Sequence, residues 1–392
     1  MESHRLTSED LAALLETVQR FAQRSLADAT AAPHQPMPPA TTAALVGQLL
    51  DMGVLNATEE PACGLWDDPQ DPLQVEFALH ALQTLAHQSP GFAYQVHVQA
   101  LANLLSRSTG APTGPDLVVL EGWLGLGRRA LPGTLLGTVS GAATSPEDAA
   151  RMADCWCLPT ADKPRTVVAL PDWSTVWIPT WQADKGWCWH RLARTDLVVQ
   201  MQAHAHGLDE LVPQRISLRA GVVPPAADIC AADESSLHFL ALSGLYGMGL
   251  LAIATGAARR ALAIATDYAA MRRQGGPLIQ EHDAVAQLLG EARQSVRLAD
   301  TALASTTQPT TSLALLADIW QLRAALHPLL CTAASQSMQV LGGIGYMRDQ
   351  GVEKLLRDCN QLRLLGGSPQ ELTLCSARSE ERRVGKECRP LC

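Results

Sequence analysis

A chain of 392 residues is longer than one ordinary hydrophobic core serves, so two or three domains are expected. Its 47% hydrophobic residues and mean hydropathy of +0.03 are those of a globular protein, and no apolar run reads as long enough to span a bilayer, which sets a membrane protein aside. The formal charge of −9 argues against a nucleic-acid binder, which needs clustered Lys and Arg against phosphate. Met1-Glu-Ser-His-Arg carries no apolar core of a secretory signal, so the cytoplasm is the expected compartment. Of ten cysteines the closest pair, Cys155-x-Cys157, has the wrong spacing for a zinc knuckle, and free, mostly buried thiols are expected. Eleven histidines form no His-Glu-x-x-His, and His204-x-His206 sits in a polar stretch, so no metal site is expected.

In chain order, Thr7-Ser-Glu-Asp10 reads as a capping box that opens an amphipathic helix with Leu11, Leu14, Leu15, Val18, Phe21 and Ala22 at helical spacing. Pro33, Pro36, Pro38 and Pro39 form a linker. A second helix ends at Gly53, a third runs from about Leu73 to Gln88, and Ser89-Pro90-Gly91 precedes a fourth that ends near Ser108. Residues 1–115 are therefore expected to form a helical domain. Between Asp116 and Val223 stand seven of the nine tryptophans, with β-branched runs such as Thr166-Val-Val and Leu197-Val-Val, the pattern of a small antiparallel β domain over residues 116–225. Gly125-Leu-Gly127-Arg-Arg-Ala130 imitates a dinucleotide-binding fingerprint, but Pro132 and Gly133 oppose the helix that such a loop must start.

Residues 226–377 return to Ala- and Leu-rich helical pattern. Segments from about Ser236 to Arg273, Ile279 to Thr306, Leu313 to Leu341 and Val352 to Leu364 would make a four-helix bundle, with Pro328 inside one helix expected to kink it. Residues 378–392 turn abruptly to dense charge without apolar periodicity. They match the translation of a common sequencing-library adapter, so they are expected to be non-native, with the true C-terminus lost after Ala377; the alternative is a solvated charged tail.

Gln339-Val-Leu-Gly-Gly-Ile-Gly345 followed by Gly351-Val-Glu-Lys-Leu-Leu-Arg-Asp358, and upstream Arg272-Arg-Gln-Gly-Gly-Pro-Leu-Ile-Gln-Glu-His-Asp-Ala-Val285, resemble two signatures of the acyl-CoA dehydrogenase family of flavoproteins, in the right order. The resemblance implies that family's architecture, mainly α with a central β domain: N-terminal helices, a small β domain and a C-terminal four-helix bundle. It also implies FAD as cofactor, an acyl-CoA or acyl-carrier thioester as substrate, an electron-transferring flavoprotein as electron acceptor, and a homo- or hetero-oligomer with a family member. Onto this chain it maps Arg272 and Gln274 as flavin pyrophosphate contacts, since a guanidinium's planar fork binds phosphate oxygens in pairs. Gln339, Gly342 and Gly343 map to the adenosine end of a flavin held by the neighbouring subunit, and Ser368 to a threonine position, with Gln370 following it.

The resemblance also shows what is missing. The family's reaction takes the proton α to a thioester carbonyl while a hydride leaves the β carbon, so it needs a carboxylate base in dry surroundings and donors on the carbonyl oxygen. Gly366 stands at the usual base position, in Leu365-Gly-Gly-Ser368. At the alternative position, on the first long bundle helix, stands Tyr246, and Gly247 follows where many members have an arginine. Glu371 is the nearest carboxylate and reads as a helix N-terminal charge.

Gly275 and Asp283 replace the family's phenylalanine and glutamine. In the β domain only Glu121 echoes one flavin loop, Trp177-Ile-Pro-Thr180 reads as a chance echo of another, and Thr138 to Asp154 resembles a shortened middle domain. The leading expectation is α,β-dehydrogenation of an acyl thioester. The alternatives are a catalytically silent subunit paired with an active homologue in a heterotetramer, and a biosynthetic oxidase or monooxygenase of the same fold.

Overall fold

The computed structural model describes residues 7–56, 64–114, 116–118, 146–203, 205–223, 226–228, 232–307 and 313–377. The dinucleotide-like Gly125 segment, Glu121, His204 and the charged tail lie outside them. Helix α1, Ser8–Phe21, starts at the capping box read from sequence: the Asp10 amide donates to Thr7 Oγ1 at 3.2 Å and the Thr7 amide to Asp10 Oδ2 at 3.0 Å. It continues through one π turn, Ala22–Leu26. Helix α2 is Pro39–Asp51, α3 is Pro72–Gln88 with Asp71 capping it, and α4 is Pro90–Thr109 with the Ser89 hydroxyl accepting from the Phe92 amide at 3.2 Å. Nearly all of α4 is buried, because it runs through the middle of the molecule between the other N-terminal helices, the β module and the bundle.

The β module holds β1 Asp116–Val118, helix α5 Pro146–Cys155, β2 Arg165–Ala169, β3 Thr175–Gln182, β4 Gly186–Ala193, β5 Leu197–Met201 and β6 Val212–Leu218. They form two three-stranded sheets, ordered β1-β3-β4 and β2-β6-β5. Pairing is antiparallel except for β1 with β3, a parallel pair joined by a long connection that includes α5. The tryptophans bind this module to the helices. Trp187 stacks on Phe239 of the bundle at 3.9 Å between centroids, with Trp156 edge-on at 5.7 Å, and Trp177 Nε1 donates to Ser106 Oγ of α4 at 3.2 Å. The Trp177-Ile-Pro-Thr180 run is thus a buried stretch of β3. The six described cysteines are free thiols, four of them buried.

The bundle consists of α6 Ala232–Met271, α7 Asp283–Ala304, α8 Leu313–Val340 and α9 Val352–Leu362, followed by α10 over residues 369–377. Pro328 lies inside α8, which continues past it. The stretch His238–Met271 of α6 corrects one reading from sequence: with a mean hydropathy of 1.6 it is long and apolar enough to cross a membrane. Ser, Gly, Thr and Ala punctuate its apolar residues and disguise the run. In the fold an 18-residue apolar window of that stretch is 94% buried, since α6 is the axis on which α3, α4, β4, α7, α8 and α9 all pack.

Arg357 and Asp358, half of the C-terminal signature, lock α9 to the rest. Arg357 grips Asp209 with both terminal nitrogens, at 2.7 and 2.8 Å, and Glu353 at 2.8 Å. Asp358, fully buried, accepts from the Leu208 amide at 2.6 Å and from Lys354 at 2.7 Å; Lys354 also meets Glu210, which accepts from the Ser89 hydroxyl at 2.9 Å. One knot therefore ties the start of α4, the β5–β6 loop and α9, and its charges are paired where they are buried. Lys354→Met strands Glu210 and Asp358 as neighbouring buried carboxylates. It is expected to cost about 3–5 kcal/mol, read as a lower urea midpoint at unchanged slope. Burial already holds Asp358 up at about 6, so the loss should shrink in more acidic buffer as that carboxylate takes up a proton.

Candidate active site

Gly366 sits in the turn after α9 with φ at +63°, a left-handed conformation that suits glycine. Its missing side chain is what shapes the site. A Cβ there would lie 2.6 Å from Cε1 of Tyr246 and 3.3 Å from a terminal nitrogen of Arg323, and no carboxylate oxygen is among its three nearest atoms. Tyr246 comes from α6 and is 2% exposed. The two positions at which the resemblance places a base, one in a loop and one on a helix, therefore meet in a single buried place.

Three further side chains complete it. Tyr94 of α4 is fully buried and brings its hydroxyl to 3.2 Å from that of Tyr246. His97, one turn on, stacks on the Tyr246 ring at 5.8 Å and 15°. Trp66 Nε1 donates to His97 Nδ1 at 3.0 Å, which fixes the tautomer, so Nε2 carries the proton and donates to the Tyr246 carbonyl at 3.2 Å. Gly249 makes this possible, since a Cβ there would fall 2.2 Å from the His97 ring. Burial pushes His97 down to about 4, and it stays neutral.

Arg323 reaches in from α8, also 2% exposed, and donates to the carbonyls of Leu365 at 2.6 Å and Gly366 at 3.4 Å. Its Nε has no partner among the described residues, and no described carboxylate pairs with it. Burial draws its pKa down to about 10 while Tyr246 pulls the other way. Gly247 leaves room for the Arg323 stem, since a Cβ there would approach Cδ at 3.2 Å. One turn on along α8, His327 is buried with neither ring nitrogen partnered among the described residues; burial, Arg323 and Arg363 hold it neutral.

The residues expected at the cofactor fall into two groups. Arg272 and Gln274 follow the end of α6, while Gln339, Gly342 and Gly343 are at the end of α8, all exposed. Arg259 of α6 pairs with Asp300 of α7, and Gln336 of α8 with Glu291 of α7, so the three helices run up, down and up, and both groups lie at one end of the bundle. Among the described residues the Arg272 side chain has no hydrogen-bond partner. Gln339 accepts from the Tyr346 hydroxyl at 3.4 Å, and nothing stands within 4 Å of a would-be Cβ at Gly342 or Gly343. An open surface with a guanidinium, amides and a glycine turn suits a diphosphate-bearing ligand.

Ser368 and Gln370 stand elsewhere, beside the Arg323 contact, about 25 Å back along α8 at 1.5 Å per residue. Ser368 and Glu371 form a capping box for α10: the Ser368 amide and hydroxyl donate to Glu371 at 2.9 and 2.7 Å, and the Glu371 amide donates to Ser368 Oγ at 3.4 Å. Glu371 is thus a helix N-terminal charge, and the Ser368 hydroxyl is engaged in the cap rather than pointing to a ligand.

Sequence reading missed Tyr94, His97, Arg323 and His327. The one available signal was a pair of polar residues four apart, Arg323 and His327, inside an otherwise apolar helix. Gly366→Ala is expected to cost about 1–3 kcal/mol from overpacking against Tyr246 and from the left-handed backbone. Part of that should return in a Tyr246→Ala background, as a double-mutant cycle on thermal midpoints would measure.

His97 sets a pH limit. Its folded pKa lies below its unfolded one, so the unfolded chain binds the extra proton and stability falls as pH drops from 6.5 through about 4. The loss is about 3 kcal/mol, and His97→Gln should flatten that part of the curve of denaturation midpoint against pH.

Residues 247–379 match the family model described as "Acyl-CoA dehydrogenase, C-terminal domain". Over 157 residues the chain is 29% identical to mitochondrial isobutyryl-CoA dehydrogenase of Bos taurus, a match that covers 38% of this chain and 36% of that relative. It thus spans about a third of the relative's length. Among solved structures, butyryl-CoA dehydrogenase from Megasphaera elsdenii superposes with a TM-score of 0.67 at 15% identity, over 96% of this chain and 98% of the other. Nitroalkane oxidase in complex with spermine gives 0.72 at 13% identity, over 96% of each chain. Residues 247–379 thus carry the acyl-CoA dehydrogenase C-terminal domain, and nearly the whole length of the chain follows the acyl-CoA dehydrogenase fold.

Proposed function

We propose that this chain is an FAD-dependent oxidoreductase acting on an acyl thioester, carried by coenzyme A or an acyl carrier protein, with an electron-transferring flavoprotein as electron acceptor. One observation carries the reading: the family's two base positions meet at a buried place that still holds two hydroxyls and a guanidinium instead of apolar fill. Dry surroundings there strengthen any interaction with a charge that develops on substrate. FAD, when bound, would accept the hydride; Arg272, Gln274, Gln339, Gly342 and Gly343 would hold its diphosphate and adenosine portion. Those residues lie about 25 Å from Gly366, Ser368 and Gln370 along α8, so both groups serve a single flavin only if a second chain supplies one of them. That spacing supports an oligomer, with a copy of this chain or with a homologue.

A second reading, a catalytically silent subunit, draws support from Gly366 and from Glu371 being spent on a helix cap. The chain purified alone separates the two. Bound yellow flavin that bleaches with acyl-coenzyme A and an artificial electron acceptor is the expected result. A chain that stays colourless until a homologue is co-expressed would establish the silent subunit instead.

A further inference from the structure

We propose that Tyr246, as its phenolate, is the proton acceptor of this site, standing in for the carboxylate that Gly366 cannot supply. This rests on the reading of the site as one that acts on an acyl thioester. The exchange of residues is a single coupled change. A Cβ at 366 would lie 2.6 Å from the Tyr246 ring, so a side chain there and the tyrosine compete for the same space. In this buried space the group able to carry a proton is on the helix, not on the loop.

The surroundings suit an ionised phenol. Arg323 is a buried cation whose hydrogen bonds among the described residues go to backbone carbonyls, with no described carboxylate as counter-ion. Tyr246 is the titratable group that strengthens Arg323's hold on its proton, and such coupling is mutual: the guanidinium favours the phenolate as much as the phenolate favours the guanidinium. Tyr94 of α4 stands 3.2 Å from the same oxygen, where its hydroxyl can donate to a phenolate or relay a proton. His97, the other titratable group of α4 against the ring, is neutral and adds no opposing charge. The guanidinium from α8, two groups from α4 and the backbone of the turn after α9 thus face Tyr246.

In the step, the bond between hydrogen and the α carbon breaks. Its proton forms the O–H of Tyr246, and its electron pair stays on the substrate as the thioester enolate. Reversal returns a proton to carbon, so in heavy water the α position gains deuterium with no oxidant consumed. Acetyl-coenzyme A, which has no β carbon to dehydrogenate, reads this half of the chemistry alone. Butyryl-coenzyme A reads it together with flavin bleaching.

Wild type is expected to place deuterium in both thioesters by mass spectrometry. Tyr246→Phe should be slower by about 100-fold or more, the usual scale for loss of a general base, with thioester binding by equilibrium dialysis unchanged. Arg323→Gln should move the rise of exchange with pH to higher pH. Tyr246→Glu puts a carboxylate at the family's alternative base position and should keep the reaction, which covers the case in which the phenylalanine variant does not fold.

If Tyr246→Phe exchanges and bleaches as fast as wild type, or if Tyr246→Glu binds thioester yet is inert, Tyr246 is not the acceptor and the functional reading stands without it. A wild type that binds thioester but neither exchanges nor bleaches overturns both.

Discussion

A helix that is apolar on every side cannot leave any face in water, and α6 imposes that constraint on the whole chain. From Phe239 to Ala258 its residues are almost continuously buried, so it has to be covered by α3 and α4 from one direction, by β4 from another and by α7, α8 and α9 from the rest. What look in sequence like separate helical, β and helical regions therefore close around one rod. The few polar groups that reach α6 do so through notches: His97 where residue 249 has no side chain, Arg323 where residue 247 has none.

Charge is sorted along the same lines. Four buried or half-buried acids gather at the knot around α9, where Lys354 and Arg357 answer Glu210, Asp358, Asp209 and Glu353. The inner face of α8 carries Arg323 and His327 with no described carboxylate as partner, and the two buried histidines near it are neutral. The space under the Leu365–Gly366 carbonyls therefore has a positive potential in low-dielectric surroundings. An anion arising there gains what no surface site would offer, because little water competes for it.

Local features were legible in the sequence, and tertiary ones were not. The capping box at Thr7, the break at Ser89-Pro90 and the bundle helices follow from caps and periodicity and stand within a few residues of their predicted places. Arg357 and Asp358 could be recognised as a signature, but their partners in the β5–β6 loop are 148 and 150 residues away, so their work in tying α9 to that loop had no local trace. Tyr246 was located by register on α6 and Gly366 by motif. That they touch depends on how α9 and α10 fold back over α6, which no spacing within either segment encodes. Arg323 breaks an apolar pattern, yet on a helix pattern alone it reads as one more residue of a solvated face.

A site that has merely decayed and one that has been rebuilt should differ in how they treat buried polar groups. Each unpartnered buried donor costs about 1–3 kcal/mol, and replacing a buried charge with a well-packed apolar residue is often neutral or stabilising. A subunit kept only as scaffold gains by exchanging Arg323 and His327 for leucine. This chain instead keeps a guanidinium against Gly247, where the family resemblance leads one to look for an arginine on α6 itself. It also fills the space above Gly366 with a hydroxyl-bearing ring rather than an aliphatic one. Both exchanges preserve a kind of chemistry, a cation and a group that can carry a proton, while moving it to a neighbouring helix. Retention of that pair, at a cost in stability, is what a working centre requires and what a scaffold does not.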